Sequence, residues 1–303
     1  MNRHPSSRPD VVVDWRPPRR PPHRRGRLLL LAALAAVVLG AGTTLSYYVE
    51  ALWYDSLGYA AVFWTTLNAQ AAVFCAFAAV TFAALYGAFR ALKPPRLGEF
   101  ASIVINGQPL KLPVEPVLNL IALGLALFIA AATGASMMAE WTTFALYWRA
   151  PAASAAVDPI FGRPITFYLF ALPVWQLITG WLMTLAVMAC AVATFFVVVT
   201  GGTQMLSRKR ANDIATTPWR GLSICVGILW LVFASRVYVG RFDRLFQPQT
   251  IFAGVTYTDA HVTLTGLLVV SIALVIGGAI ALANGVTKPR LSWLVASLVP
   301  AVA

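Results

Sequence analysis

Seven residues near the ends of the apolar runs stand out among those whose types could do chemistry: Asp158, Arg163, Arg236, Arg241, Asp243, Asp259 and His261. Carboxylates and an imidazole can share a metal ion or pass a proton, and guanidinium groups can hold an anion. Asp259 and His261, two positions apart, would share one face of a strand, and Asp158 or Asp243 could complete a ligand set. The spacing does not support that chemistry. HExxH, CxxC and EF-hand patterns are absent, as are a GxSxG elbow and an intramembrane aspartate pair. No catalytic residue, metal site or cofactor is therefore assigned. The seven residues read first as caps and anchors, and second as a binding surface on the outer side of a membrane. Asp158 or Asp259 would accept backbone N–H bonds at a turn or helix start, while the arginines snorkel toward water.

These residues lie at the ends of long apolar runs, and the runs dictate the fold. The 303-residue chain is 59% apolar and only 11% charged, whereas soluble domains are roughly 25% charged. So much apolar surface needs lipid as its solvent. Six stretches reach the ~20 residues that a spanning helix requires: 28–48, 66–86, 116–137, 167–199, 221–239 and 264–283. In the fourth, Phe167 to Leu172 is expected to lie in the interface as a separate piece ahead of Pro173. A seventh run, 291–303, covers only about 20 Å at 1.5 Å per residue, so the native chain is expected to continue past Ala303 and complete that helix. The predicted fold is an all-α polytopic transmembrane bundle, with six complete helices and an incomplete seventh. It occupies residues 28–303 and follows a disordered basic tail, 1–27.

The tail and the even-numbered loops carry 18 of the 23 Lys and Arg residues, leaving Arg149, Arg163, Arg236, Arg241 and Arg244 for the other side. Positive-inside bias places the N-terminus in the cytoplasm of a bacterial cell, with the multi-pass chain in the cytoplasmic membrane. The net charge of +12 is then a topology signal, and no nucleic-acid partner is expected. The expected partners are the bilayer itself, anionic lipid at the proline-rich tail Arg16 to Arg27, and envelope proteins or a second copy of the chain. A cleaved signal peptide fits poorly, because bulky aromatic residues follow the apolar run. Cys75, Cys190 and Cys225, each inside an apolar run, read as buried free thiols packed like small hydrophobes. In the second loop, Asn106-Gly107 between two β-type runs predicts a small cytoplasmic hairpin at 102–112.

Across the six complete predicted spans Arg236 is the only charge, about a turn from the outer end of its helix. Asp243, two turns further on the same face, is its expected partner. A transporter coupled to ions or protons would need more ionisable groups at the midplane than this.

The outer segments "LWYDSLGYAAVFW" from Leu52, "DPIFGRPITFYLFALP" from Asp158 and "YTDAHVTL" from Tyr257 resemble signature stretches of the UPF0182 family, bacterial integral membrane proteins of uncharacterised function. The resemblance runs from about Leu52 to the end. It implies seven N-terminal membrane helices followed by a large extracytoplasmic region, and it carries over no activity and no catalytic residue. The first functional expectation is an anchor that orients such a region. A transporter or lipid-handling protein, with a pathway lined by Asn68, Gln70 and Arg236, is the second. An envelope enzyme using Asp158, Asp243, Asp259 and His261 is the third.

Overall fold

The computed structural model describes residues 41–94, 102–105, 108–111, 114–151, 156–206, 216–246, 254–287, 291–297 and 299. The chain divides into a unit of Met1–Thr65 and a unit of Thr66–Ala303. In the first unit, helix α1 covers residues 41–56. It stops because Gly58 takes a φ of 76°. The Gly58 N–H bonds to the Asp55 carbonyl and the Tyr59 N–H to the Tyr54 carbonyl, each at 2.9 Å. That is the Schellman pattern, which satisfies carbonyls at a helix end. Trp53, Tyr54, Phe63 and Trp64 stack edge to face or tilted around this turn, at centroid distances of 5.2 to 5.8 Å.

Helix α2, Ala60–Leu92, leads into the second unit. Strands β1, Ser102–Ile105, and β2, Gln108–Lys111, pair antiparallel with Ile105 opposite Gln108. The Asn106-Gly107 turn between them lies outside the described residues. Then come α3, Val114–Ala139, and a short α4, Trp141–Trp148. A π-helical turn, Phe167–Ala171, opens α5, Leu172–Leu206. Helix α6 is Thr216–Asp243 and ends in a 3-10 turn, Arg244–Phe246. A second π turn, Asp259–Thr263, opens α7, Leu264–Val286, and α8 is Leu291–Ala296.

Among the described residues, five helices are long and apolar enough to cross a membrane: Ala60–Leu92, Glu115–Ala139, Phe167–Thr200, Trp219–Phe246 and Asp259–Val286. They coincide with the second to sixth expected spans but run further at most ends. Asp243, Asp259 and His261 therefore lie on the long helices rather than in loops. The expected first span, 28–48, lies mostly outside the described residues, as do the basic tail and several residues of the 291–303 run. One expectation is corrected. Phe167 to Leu172 is not a separate interfacial piece, since the Leu172 N–H bonds to the Phe167 carbonyl in π register and the helix continues through Pro173. A π turn takes up the break in the ladder that proline, lacking an N–H, would otherwise cause.

Within the second unit the helix pairs α2/α3, α5/α6 and α6/α7 pack antiparallel, while α2 and α5 run parallel. Phe89 of α2 meets Phe196 of α5, with Leu118 and Ala122 of α3 against them. Toward the other end, Met137, Phe144 and Val174 join α3, α4 and α5, and Phe77 of α2 packs against both Phe144 and Trp181. The Trp181 indole N–H donates to the fully buried Thr81 hydroxyl at 3.0 Å, an interhelical bond worth about 0.6 to 2 kcal/mol in a membrane. Helices α6 and α7 approach backbone to backbone. A Cβ on Gly278 would stand 3.1 Å from the Gly227 carbonyl oxygen, the small-residue contact typical of apolar helix pairs. Asn284 donates to Ser223 at 2.9 Å, both buried. Arg220 holds the Gly285 and Val286 carbonyls at the end of α7, at 3.1 and 3.3 Å.

Candidate functional site at the aromatic end of the bundle

The start of α5, the end of α6 and the start of α7 meet at one end, and the sequence-selected residues gather there. Asp158 is held in a tight turn. Its N–H donates to the Arg163 carbonyl at 2.8 Å and its carbonyl accepts the Gly162 N–H at 2.9 Å. Its carboxylate Oδ2 accepts the Phe161 N–H at 2.6 Å and the Tyr168 hydroxyl at 3.1 Å. Gly162 sits at φ 63°, the left-handed region a glycine enters without a Cβ clash. Val157 bridges Pro164 across the turn. An Asp that closes a turn through its own side chain is doing structural work, and both bonds here are accepted by one oxygen.

The turn presents Phe161, and with Phe167 and Tyr168 it surrounds Phe242 of α6, at centroid distances of 4.7, 5.2 and 6.2 Å. Tyr168, Leu172 and Phe242 are buried at the centre. Arg241 locks this cluster to α7. Its guanidinium lies 5.6 Å from the Phe161 ring centre and 5.4 Å from that of Tyr238, while its Nε–H donates to the Leu264 carbonyl at 3.1 Å. Arg163 is exposed and rests 5.4 Å from the Phe167 ring centre. It stands among the residues lining an apolar cavity of about 710 Å³ bounded by α5, α6 and α7.

Arg236 and Asp243 lie on one face of α6, as their spacing requires. No ion pair joins them among the described residues. Asp243 Oδ1 instead accepts a hydrogen bond from Gln176 of α5. The Arg236 guanidinium reaches across to α5, where a Cβ on Gly180 would be 2.9 Å from its Nη1. Gln176, Thr179, Arg236, Val239, Gly240 and Asp243 line a cavity of about 460 Å³. Asn68 and Gln70 of α2 are not among the residues lining it. The sequence reading missed Gln176, although the signal was available: a lone amide in the apolar run from Val174 to Gly180 must find a polar partner.

Asp259 forms a capping box with Thr256. The Asp259 N–H donates to the Thr256 hydroxyl oxygen at 3.1 Å, and its carboxylate accepts the Thr256 N–H at 3.4 Å and hydroxyl at 2.7 Å. The Thr263 hydroxyl takes its other oxygen at 3.0 Å. Such reciprocal bonds satisfy the free N–H groups at a helix start. His261 is exposed, its Nδ1 lies 3.0 Å from the Tyr257 carbonyl oxygen, and its ring stacks on Tyr257 at 4.1 Å. Among the described residues, no three His, Cys, Asp or Glu side chains converge as a metal would require. The arrangement can rigidify a helix end and hold an ionic or amphiphilic molecule.

A fold that is helical apart from one short hairpin, with five long apolar helices among the described residues and charges concentrated at helix ends, has the build of a polytopic membrane protein. The chain belongs to the uncharacterised protein family UPF0182, whose family model matches residues 27–303. It is 30% identical over 258 residues to a UPF0182 protein of Nocardioides sp., covering 82% of this chain and 25% of that one. It is 31% identical over 257 residues to one from Bradyrhizobium diazoefficiens, 79% of this chain and 27% of the relative. A third, from Trichlorobacter lovleyi, is 29% identical over 280 residues, 90% of this chain and 30% of the relative. The chain thus spans between a quarter and a third of the length of these relatives. No solved structure matches it.

Proposed function

We propose that this chain is the membrane-embedded part of an envelope protein, and that the aromatic end of α5, α6 and α7 anchors and orients a large extracytoplasmic region. The carrying observation is how the charged residues at that end are used. Asp158 closes its own turn, Arg241 ties the turn to α7, and Asp259 caps α7. Groups spent in this way make a rigid seat, and a rigid seat fixes the direction in which attached chain leaves the membrane. Two further points support the reading. Most of each relative's length lies outside the part matched here, and the Lys and Arg asymmetry favours the outer face of the cytoplasmic membrane for the aromatic end.

The test is labelling of intact bacteria with a membrane-impermeant maleimide, after Cys75, Cys190 and Cys225 are replaced by Ala. Ile160→Cys is expected to react in intact cells, and Lys93→Cys only after permeabilisation. The reverse pattern overturns the orientation, and labelling of both in intact cells overturns the membrane reading.

A further inference from the structure

We propose that the cleft between α5 and α6 binds a zwitterionic lipid headgroup, a phosphate and a primary ammonium joined by a two-carbon spacer, with the phosphate on Arg236 and the ammonium on Asp243. The cleft's volume, about 460 Å³, falls in the range of roughly 300 to 1,000 Å³ for small-molecule sites. It presents one cation and one anion, within Coulombic reach of each other yet not joined by an ion pair among the described residues. An arginine inside an apolar span is costly unless a counter-charge meets it. A simple anion on Arg236 would be repelled by Asp243, and a simple cation on Asp243 by Arg236. A molecule carrying both charges satisfies both residues.

Helix α5 supplies the ruler. Arg236 sits level with Gly180, and Asp243 level with Gln176. Those positions are four residues apart on α5, about 6 Å, whereas Arg236 and Asp243 are seven residues apart on α6, about 10 Å, so the two side chains converge toward α5, where a short spacer can join their ligands. Gln176 occupies Asp243 Oδ1 and steadies the carboxylate, leaving Oδ2 for an ammonium. One glycine keeps the cleft open: Gly180 gives way to the guanidinium, whose Nη1 would lie 2.9 Å from a Cβ there.

The order of the charges selects a lipid. Asp243 is three residues from the end of the apolar helix Trp219–Phe246, and Arg236 lies seven residues deeper. A phospholipid places its phosphate toward the membrane interior and its amine toward water, the same order. This match holds for either orientation of the chain across the bilayer. It does rest on α6 crossing a membrane, which the same labelling applied to Trp219→Cys and Tyr257→Cys, on either side of that helix, tests separately.

The experiment is native mass spectrometry of the full chain in detergent, titrated with phosphatidylethanolamine, phosphatidylcholine and phosphatidylglycerol of identical acyl chains. Phosphatidylethanolamine is expected to bind at least about tenfold more tightly than the other two, since each charge-assisted hydrogen bond is worth a factor of roughly ten or more. Asp243→Asn is expected to remove that preference, weakening phosphatidylethanolamine and, with the repelling carboxylate gone, strengthening phosphatidylglycerol. Arg236→Gln is expected to weaken both lipids about tenfold. Gly180→Ala keeps every charge but crowds the guanidinium, and is expected to lower phosphatidylethanolamine binding. Equal binding of the three lipids overturns the proposal, as does an unchanged preference in Asp243→Asn. Soluble phosphoethanolamine binding as tightly as the lipid overturns the lipid as the source of the headgroup. The ranking of lipids on the unmodified chain needs no variant, so it decides the matter even if a substitution unfolds the protein.

Discussion

Replacing Asp158 with alanine tests whether the aromatic end is a seat. The carboxylate accepts two hydrogen bonds, from the Phe161 N–H at 2.6 Å and the Tyr168 hydroxyl at 3.1 Å. Bonds to a charged acceptor contribute about 1.5 to 3 kcal/mol each. Asp158 is only half-buried, so the low end applies, and the pair contributes about 3 kcal/mol. Tyr168 is 7% exposed, and losing its acceptor strands a hydroxyl among Phe167, Leu172 and Phe242. Tyr168→Phe removes one bond without stranding a group on its own side, so it is expected to cost about 1 kcal/mol. The two substitutions share that bond. Combined, they are expected to fall short of additivity by about 1 kcal/mol, as neighbours in one network do. The assay is reversible unfolding of the purified chain on titration with sodium dodecyl sulfate, read by tryptophan fluorescence, together with folded yield from membranes. An Asp158→Ala chain within about 0.5 kcal/mol of the parent, the range of ordinary surface changes, refutes the seat. So does normal stability accompanied by loss of a cellular function, which would make Asp158 a working residue.

Arg241→Ala removes the bond to the Leu264 carbonyl and two ring contacts, and is expected to cost about 2 to 4 kcal/mol in the same unfolding assay. Arg241→Lys is expected to recover less than half of that, because an ammonium lacks the planar fork that meets two rings and a carbonyl together. Gly278→Val drives a side chain into the Gly227 carbonyl and Leu231, at 3.0 to 3.1 Å from the new Cβ, and is expected to cost about 1 to 3 kcal/mol by overpacking. Trp181→Phe leaves the fully buried Thr81 hydroxyl without its donor. It is expected to cost about 1 to 3 kcal/mol, part of which Thr81→Val in the same chain restores. His261→Ala is expected to leave both stability and the metal content of the purified protein unchanged, measured by unfolding and by elemental analysis.

What could be read from the sequence was whatever depends on neighbours along the chain. Runs of about 20 apolar residues became long helices because a helix is the one arrangement in which a single segment satisfies its own backbone groups without water. Asp158 could be read as a turn former because Pro159 and Gly162 lie beside it, and Asp259 as a cap because Thr256 lies three residues before it. Even the π turn before Pro173 has a local cause, although its continuity with α5 was not foreseen. Helix ends ran further than the hydropathy suggested, since Arg, Tyr and Trp keep their polar tips wet while their stems stay in the helix. What could not be read depends on which helices become neighbours. Periodicity on α6 places Asp243 on the same face as Arg236, and it does lie there. Yet Asp243 is taken by Gln176, 67 residues earlier, and Arg236 lies over Gly180 of the same helix. One helix thus separates two charges that their own helix would have allowed to pair. That separation is what the sequence could not show, because it depends on α5 lying between the two charges, and it is the feature on which the proposed headgroup site rests.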